Sequence, residues 1–233
     1  MATYTIEYRM VLPDQQKVSY SLQFDEQTVQ LLNPVSPELP EWTRLSFKQC
    51  SHCPLSADHH LFCPLAAHLV DLIRHFDGLM SYDSLELQVI TEQRTISRKA
   101  TVQEALGALL GLVIPASGCP HTAYFRPMAR YHLPLASTDE TIYRATSMYL
   151  LAQYFRKTAG KKADLDFQGL KEIYQNMQIL NGAIAERLRS ASKTDSSVNA
   201  VILLDMFAMA LPLAIEESLA ELRSLFTSFL NAE

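Results

Sequence analysis

Apolar residues recur at every second position near the start of this chain, at Tyr4, Ile6, Tyr8 and Met10 and again at Val18, Tyr20, Leu22 and Phe24. From Ser137 onward they recur at every third or fourth position. A period of two lines one face of a strand, whereas a period near 3.6 lines one face of a helix, so the two halves must fold into different kinds of structure. The turn-like Pro13-Asp14 joins the first two runs into a hairpin. Pro34, Pro37 and Pro40 then interrupt regular structure ahead of a cysteine loop. Pro64 opens a helix carrying Leu65, Leu69, Leu72, Ile73 and Phe76 on one stripe.

Leu85, Leu87 and Val89 alternate again, and Arg94 to Arg98 would return as a partner strand across Glu92-Gln93. Thr101 with Glu104 forms a capping box for a helix through Leu106, Leu109, Leu110 and Val113, closed by Pro115 and Gly118. Gly107 and Gly111 on this helix would let a neighbour approach closely. The second half predicts three antiparallel helices. The first, capped by Ser137 and Glu140, carries Ile142, Ala145, Met148, Leu151 and Phe155 on one face. The next is capped by Asp166 and packed through Leu170, Ile173, Met177, Leu180, Ile184 and Leu188. The last, capped by Asp195, is kinked at Pro212 and continues its apolar face through Leu219, Leu222, Phe226 and Phe229. The fold class is therefore α+β: a small antiparallel sheet with two helices (ββαββα, residues 1–134), followed by a helical subdomain (residues 135–233).

Composition narrows the function classes. The net charge is -5, so no general basic field draws the chain to nucleic acid. Only 7 glycines are present, which argues against a glycine-built phosphate cradle. Residues 198–215 are apolar but interrupted by Asn199, Asp205 and Pro212, which reads as a buried helix rather than a membrane span. The start of the sequence lacks the charged-then-apolar pattern of an export signal, so the cytoplasm is the expected location, where clustered cysteines hold metal more often than they form disulfides.

Cys50, Cys53, Cys63 and Cys119 carry the clearest chemistry. Two residues between Cys50 and Cys53 let both thiolates face one tetrahedral ion, and Cys63 and Cys119 fall on turns at helix ends. Three of the four precede proline, at Pro54, Pro64 and Pro120. Zinc accepts scattered thiolates and is favoured; an iron-sulfur cluster is the alternative, and His60 is a candidate replacement ligand. A thioredoxin-type redox pair fits poorly, because Pro54 and a long loop follow where a helix should begin.

Arg126, Arg130 and His132 lie between two prolines and form a candidate anion or small-ligand site, on which an enzyme acting on a small anionic substrate could be built. Arg144 is explained by an exposed pair with Glu140, and Asp205 by a structural hydrogen bond. No nucleophile-base motif is apparent, so an enzyme is neither indicated nor excluded. The preferred reading is a non-enzymatic binding or regulatory protein that meets a protein partner, or itself, through its helices. The runs Cys50-x2-Cys53-Pro54-Leu55, Cys63-Pro64, Ser117-Gly118-Cys119-Pro120, Arg126-Pro127-Met128-Ala129-Arg130 and Ser147-Met148-Tyr149-Leu150-Leu151 resemble those of an uncharacterised bacterial protein family with no assigned activity. The resemblance implies a bacterial cytoplasmic protein and no particular substrate.

Overall fold

The structure is a computed structural model that describes residues 2–76, 78–191 and 195–232. The alternating runs form strands β1 (Thr3–Val11) and β2 (Lys17–Asp25), paired antiparallel with Tyr8 opposite Tyr20. Two further strands, β3 (Ser84–Ile90) and β4 (Thr95–Thr101), complete an antiparallel sheet of order β2-β1-β3-β4. Tyr4, Ile6, Tyr8, Met10, Leu85, Leu87 and Val89 are buried on one face, as the period of two requires.

Two helices belong to this part: α1 (Pro64–Phe76) and α2 (Val102–Ala116). Both halves of the capping box form at α2, where Glu104 accepts the Thr101 N–H at 2.8 Å and the Thr101 hydroxyl accepts the Glu104 N–H at 3.3 Å. Pro115 is carried inside the last turn rather than ending the helix. The segment expected to be a stiff connector contains a short helix, α3 (Arg126–Arg130), because Pro127 suits a first turn whose N–H groups have no partner.

Three long helices follow: α4 (Thr138–Thr158), α5 (Gln168–Ala191) and α6 (Ser196–Leu222), with a last turn α7 (Thr227–Leu230). Several expectations are corrected here. On α4 the buried face is Ile142, Ala145, Thr146, Tyr149 and Gln153, while Leu151 and Phe155 stand 54% and 59% exposed. Two polar side chains, Thr146 and Gln153, occupy the inward face because each hydrogen-bonds there, to the Ile142 carbonyl and to the Asp164 N–H. Asp164 rather than Asp166 ties down the start of α5, accepting the Gly169 N–H at 2.8 Å. Asp195 sits at the N-cap of α6 but spends its carboxylate on the Ser81 N–H and hydroxyl, each at 3.1 Å. Helix α6 runs on through Pro212. Phe226 and Phe229 are exposed rather than continuing a buried face.

One cluster of buried apolar side chains runs from the sheet through α1 and α2 into α4, α5 and α6. Helix α6 packs on both α5 and α2, and the Ser196 hydroxyl donates to the Phe76 carbonyl at 3.1 Å. Among the described residues no helix is long and apolar enough to cross a membrane.

Candidate functional site

The cysteine loop begins in irregular backbone. A single 3-10 turn, Glu41–Thr43, is all the regular structure between β2 and α1, and a lone bridge between Arg44 and Phe62 closes the loop on itself. Within it the Cys53 N–H donates to the Cys50 carbonyl at 3.0 Å, making the tight turn that the two-residue spacing implies. Cys63 is held at the start of α1, its N–H donating to the Thr43 carbonyl at 2.8 Å and its carbonyl accepting the Ala67 N–H. Cys119 follows Gly118, whose φ of +90° is a conformation that suits glycine. The Thr122 N–H donates to the Cys119 carbonyl at 3.2 Å.

The fold thus brings four cysteines distant in sequence into one neighbourhood. Burial pushes the Cys50 thiol up to about 11, and Cys63, Cys53 and Cys119 lie near enough to raise it further, while Arg187 acts in the opposite sense. Cys119 is likewise raised by burial, against which the His121 and Thr122 N–H groups act. All four are free thiols. Among the described residues no group of three or more His, Cys, Asp or Glu side chains is placed to hold a metal ion as it stands. His121 stacks on His52 at 3.9 Å between ring centroids, and the two link the Cys53 loop to the Cys119 turn, since His121 Nε2 meets the His52 carbonyl at 2.9 Å.

Sequence reasoning missed Arg187. This α5 residue is 1% exposed, and its guanidinium donates to the Trp42, Arg44 and Leu45 carbonyls at 2.6, 2.8 and 3.1 Å. Its Nε–H is buried without a partner. Among the described residues no carboxylate is within ion-pair distance of it. Burial lowers its proton affinity, and Cys63, Cys50 and Cys53 are the neighbours that favour its charge. Its only sequence signal was a charged residue inside the apolar spacing of α5.

Arg126, Arg130 and His132 are not gathered around one space. Arg130 lies over the Tyr4 ring, 4.1 Å from its centroid, and pairs with Glu26 at 3.6 Å. Arg126 has a buried Nε–H without a partner. Only His132 lines a cavity of about 750 Å³, together with residues of α2, α4, α5 and α6. The His132 ring bonds through Nε2 to the Tyr8 hydroxyl. Burial first, and then Arg144, push its imidazole down to about 3.

Arg144 lines the same cavity and was misread as an exposed partner of Glu140. Its Nη2 donates to the Met128 and Tyr131 carbonyls, both at 2.9 Å, closing the end of α3. Asp205 matches its expected role, accepting from Asn181 Nδ2 at 3.4 Å. Helix α2, which carries Gly107 and Gly111, packs on α6. Both glycines line the cavity, and a Cβ on Gly111 would meet nothing within 4 Å.

No curated protein and no solved structure matches the chain. A family model does match it, over residues 6–227, and the chain belongs to that family, a domain of unknown function, DUF6901.

Proposed function

We propose that Cys50, Cys53, Cys63 and Cys119 hold one structural zinc ion, and that the protein is a non-enzymatic binding or regulatory protein whose irregular loop is fixed by that ion. The observation that carries this reading is Arg187, a buried guanidinium with thiols around it and no carboxylate partner among the described residues. A buried cation without an anion is costly. Neutral thiols leave that charge uncompensated, whereas four thiolates on a divalent ion carry a net charge of about minus two and would neutralise it. The nearby His121 and Thr122 N–H groups favour a thiolate at Cys119.

The ion would draw the four sulfurs together from their present spacing, and its binding free energy would become folding free energy for the loop. Partner binding or self-association would fall to the helices, where Leu151, Tyr154 and Phe155 of α4 stand exposed. A reducing compartment such as the cytoplasm suits four free thiols.

Elemental analysis of anaerobically purified protein tests the reading: about one zinc per chain is expected, with a lowered melting temperature in Cys53→Ser. A brown preparation bleached by dithionite would replace zinc with an iron-sulfur cluster. A metal-free protein of unchanged stability would overturn both.

A further inference from the structure

The cavity is a second site, separate from the cysteines. Its volume of about 750 Å³ lies in the range that takes a whole small molecule. Its walls are mainly apolar: Gly107, Ala108 and Gly111 of α2, Met177 of α5, and Leu204 and Ala208 of α6. The open space along α2 follows in part from Gly111, where an added Cβ would meet nothing within 4 Å.

One wall is polar. Arg144, Tyr174 and His132 all line the cavity. Among the described residues Arg144 has no carboxylate within ion-pair distance, and its hydrogen bonds leave from Nη2 alone. Tyr174 lies near enough for the guanidinium to oppose the upward push that burial gives its hydroxyl. The two acidic residues of the lining each close a capping box, Glu104 accepting the Thr101 N–H at 2.8 Å and Glu140 the Ser137 N–H at 2.7 Å, and Glu140 lies near enough to Arg144 to favour its charge without pairing with it. Glu104 also faces Arg98 at 3.9 Å, so that arginine is partly neutralised.

We propose that this cavity binds a monocarboxylate with an apolar body, its carboxylate on Arg144 and Tyr174 and its body along the bare face of α2 against Leu204 and Ala208. Of the two guanidinium groups on its lining, Arg98 faces Glu104 and Arg144 alone has no ion-pair partner among the described residues, which suits one negative charge. A phosphate dianion would bring a second charge, for which the other lining arginine, Arg98, is already held by Glu104. The planar fork of arginine matches a carboxylate, and the tyrosine hydroxyl adds a neutral donor.

Isothermal titration of the full chain with para-phenylbenzoate and with its neutral isostere para-phenylbenzamide tests this. The acid should bind about tenfold more tightly than the amide, because a hydrogen bond to a charged group is the stronger one. Gly111→Leu, which places a side chain in open space on a helix, should abolish binding of both probes while far-UV circular dichroism stays unchanged. Arg144→Met should remove the preference for the acid. Should that variant fail to fold, Tyr174→Phe keeps the test open, with an expected loss of about fivefold in affinity for the acid. An amide that binds as tightly as the acid, binding that survives Gly111→Leu, or no binding of either probe at about 1 mM would overturn the proposal.

Discussion

The cysteine loop and the cavity place their arginines in opposite settings. Around the loop the backbone is irregular, so its carbonyls find no ladder or helix to pair with, and a donor has to come from elsewhere in the fold. Arg187 supplies it, reaching from α5 to three consecutive-region carbonyls at Trp42, Arg44 and Leu45. Around the cavity the backbone is mostly helical and satisfies itself, which leaves side chains free to line a space. Arg144 needs only two carbonyls at the end of α3 and remains on the cavity wall. One guanidinium is consumed by structure; the other is left available.

Paired substitutions test that difference most severely. Arg187→Met strands three carbonyls in a buried setting, each worth about 1–3 kcal/mol, and should cost about 3 kcal/mol or more in urea unfolding with the m value unchanged. Arg144→Met leaves two carbonyls near the surface and should cost about 1 kcal/mol. Equal losses would erase the distinction between a loop built around its arginine and a cavity merely lined by one.

Acid should reveal the second difference. Burial and the nearby Arg144 hold His132 neutral, with its imidazole pushed down to about 3. In the unfolded chain an imidazole takes up a proton near pH ~6.5. Between about pH 6.5 and about pH 3 the unfolded state therefore binds more protons, and stability falls as the pH falls, by at most about 1.4 kcal/mol per pH unit for this one group. Above that window its contribution is complete. His68 is lowered by burial, and His52 by burial and then His121, so both add to the same trend. His132→Gln retains a partner for the Tyr8 hydroxyl and removes the titration. Thermal melts from about pH 7 to about pH 4 should accordingly show a shallower decline in the variant, and identical declines would mean that the imidazole is not enclosed as described.

Much of the fold could be read from spacing, because β1, β2, β3 and α1 repeat their apolar residues at a regular period and the two capping boxes are local in sequence. The errors arose where a distant partner decided the outcome. Leu151 and Phe155 fit a helical stripe, yet the inward face of α4 went to Thr146 and Gln153, which find hydrogen bonds inside. Asp166 had the position of a cap, but Asp164 took the role because it also accepts the Tyr149 hydroxyl at 2.6 Å. The cysteines were visible as letters of distinctive chemistry, and the fold places them in one neighbourhood. The cavity was not visible, since Gly107, Gly111, Arg144 and Tyr174 are unremarkable singly and meet only through the packing of α2, α4 and α5.

Two glycines give the smallest effect and the sharpest contrast in sign. Gly111 faces the cavity, where an added Cβ meets nothing within 4 Å. Gly111→Ala should therefore collect the helix propensity that glycine forgoes, a gain of roughly 0.5–1 kcal/mol. Gly169 lies in the first turn of α5, where a Cβ would press on the Tyr149 hydroxyl oxygen. That hydroxyl donates to Asp164, whose same Oδ2 accepts the Gly169 N–H, so displacing it loosens the α4–α5 connection as a unit. Gly169→Ala should cost about 1 kcal/mol, the worth of the hydrogen bond it disturbs. Thermal melts of the two variants beside the parent should move in opposite directions. A loss in Gly111→Ala would mean that α2 is pressed against a neighbour after all, and the space assigned to a ligand would be filled by the protein itself.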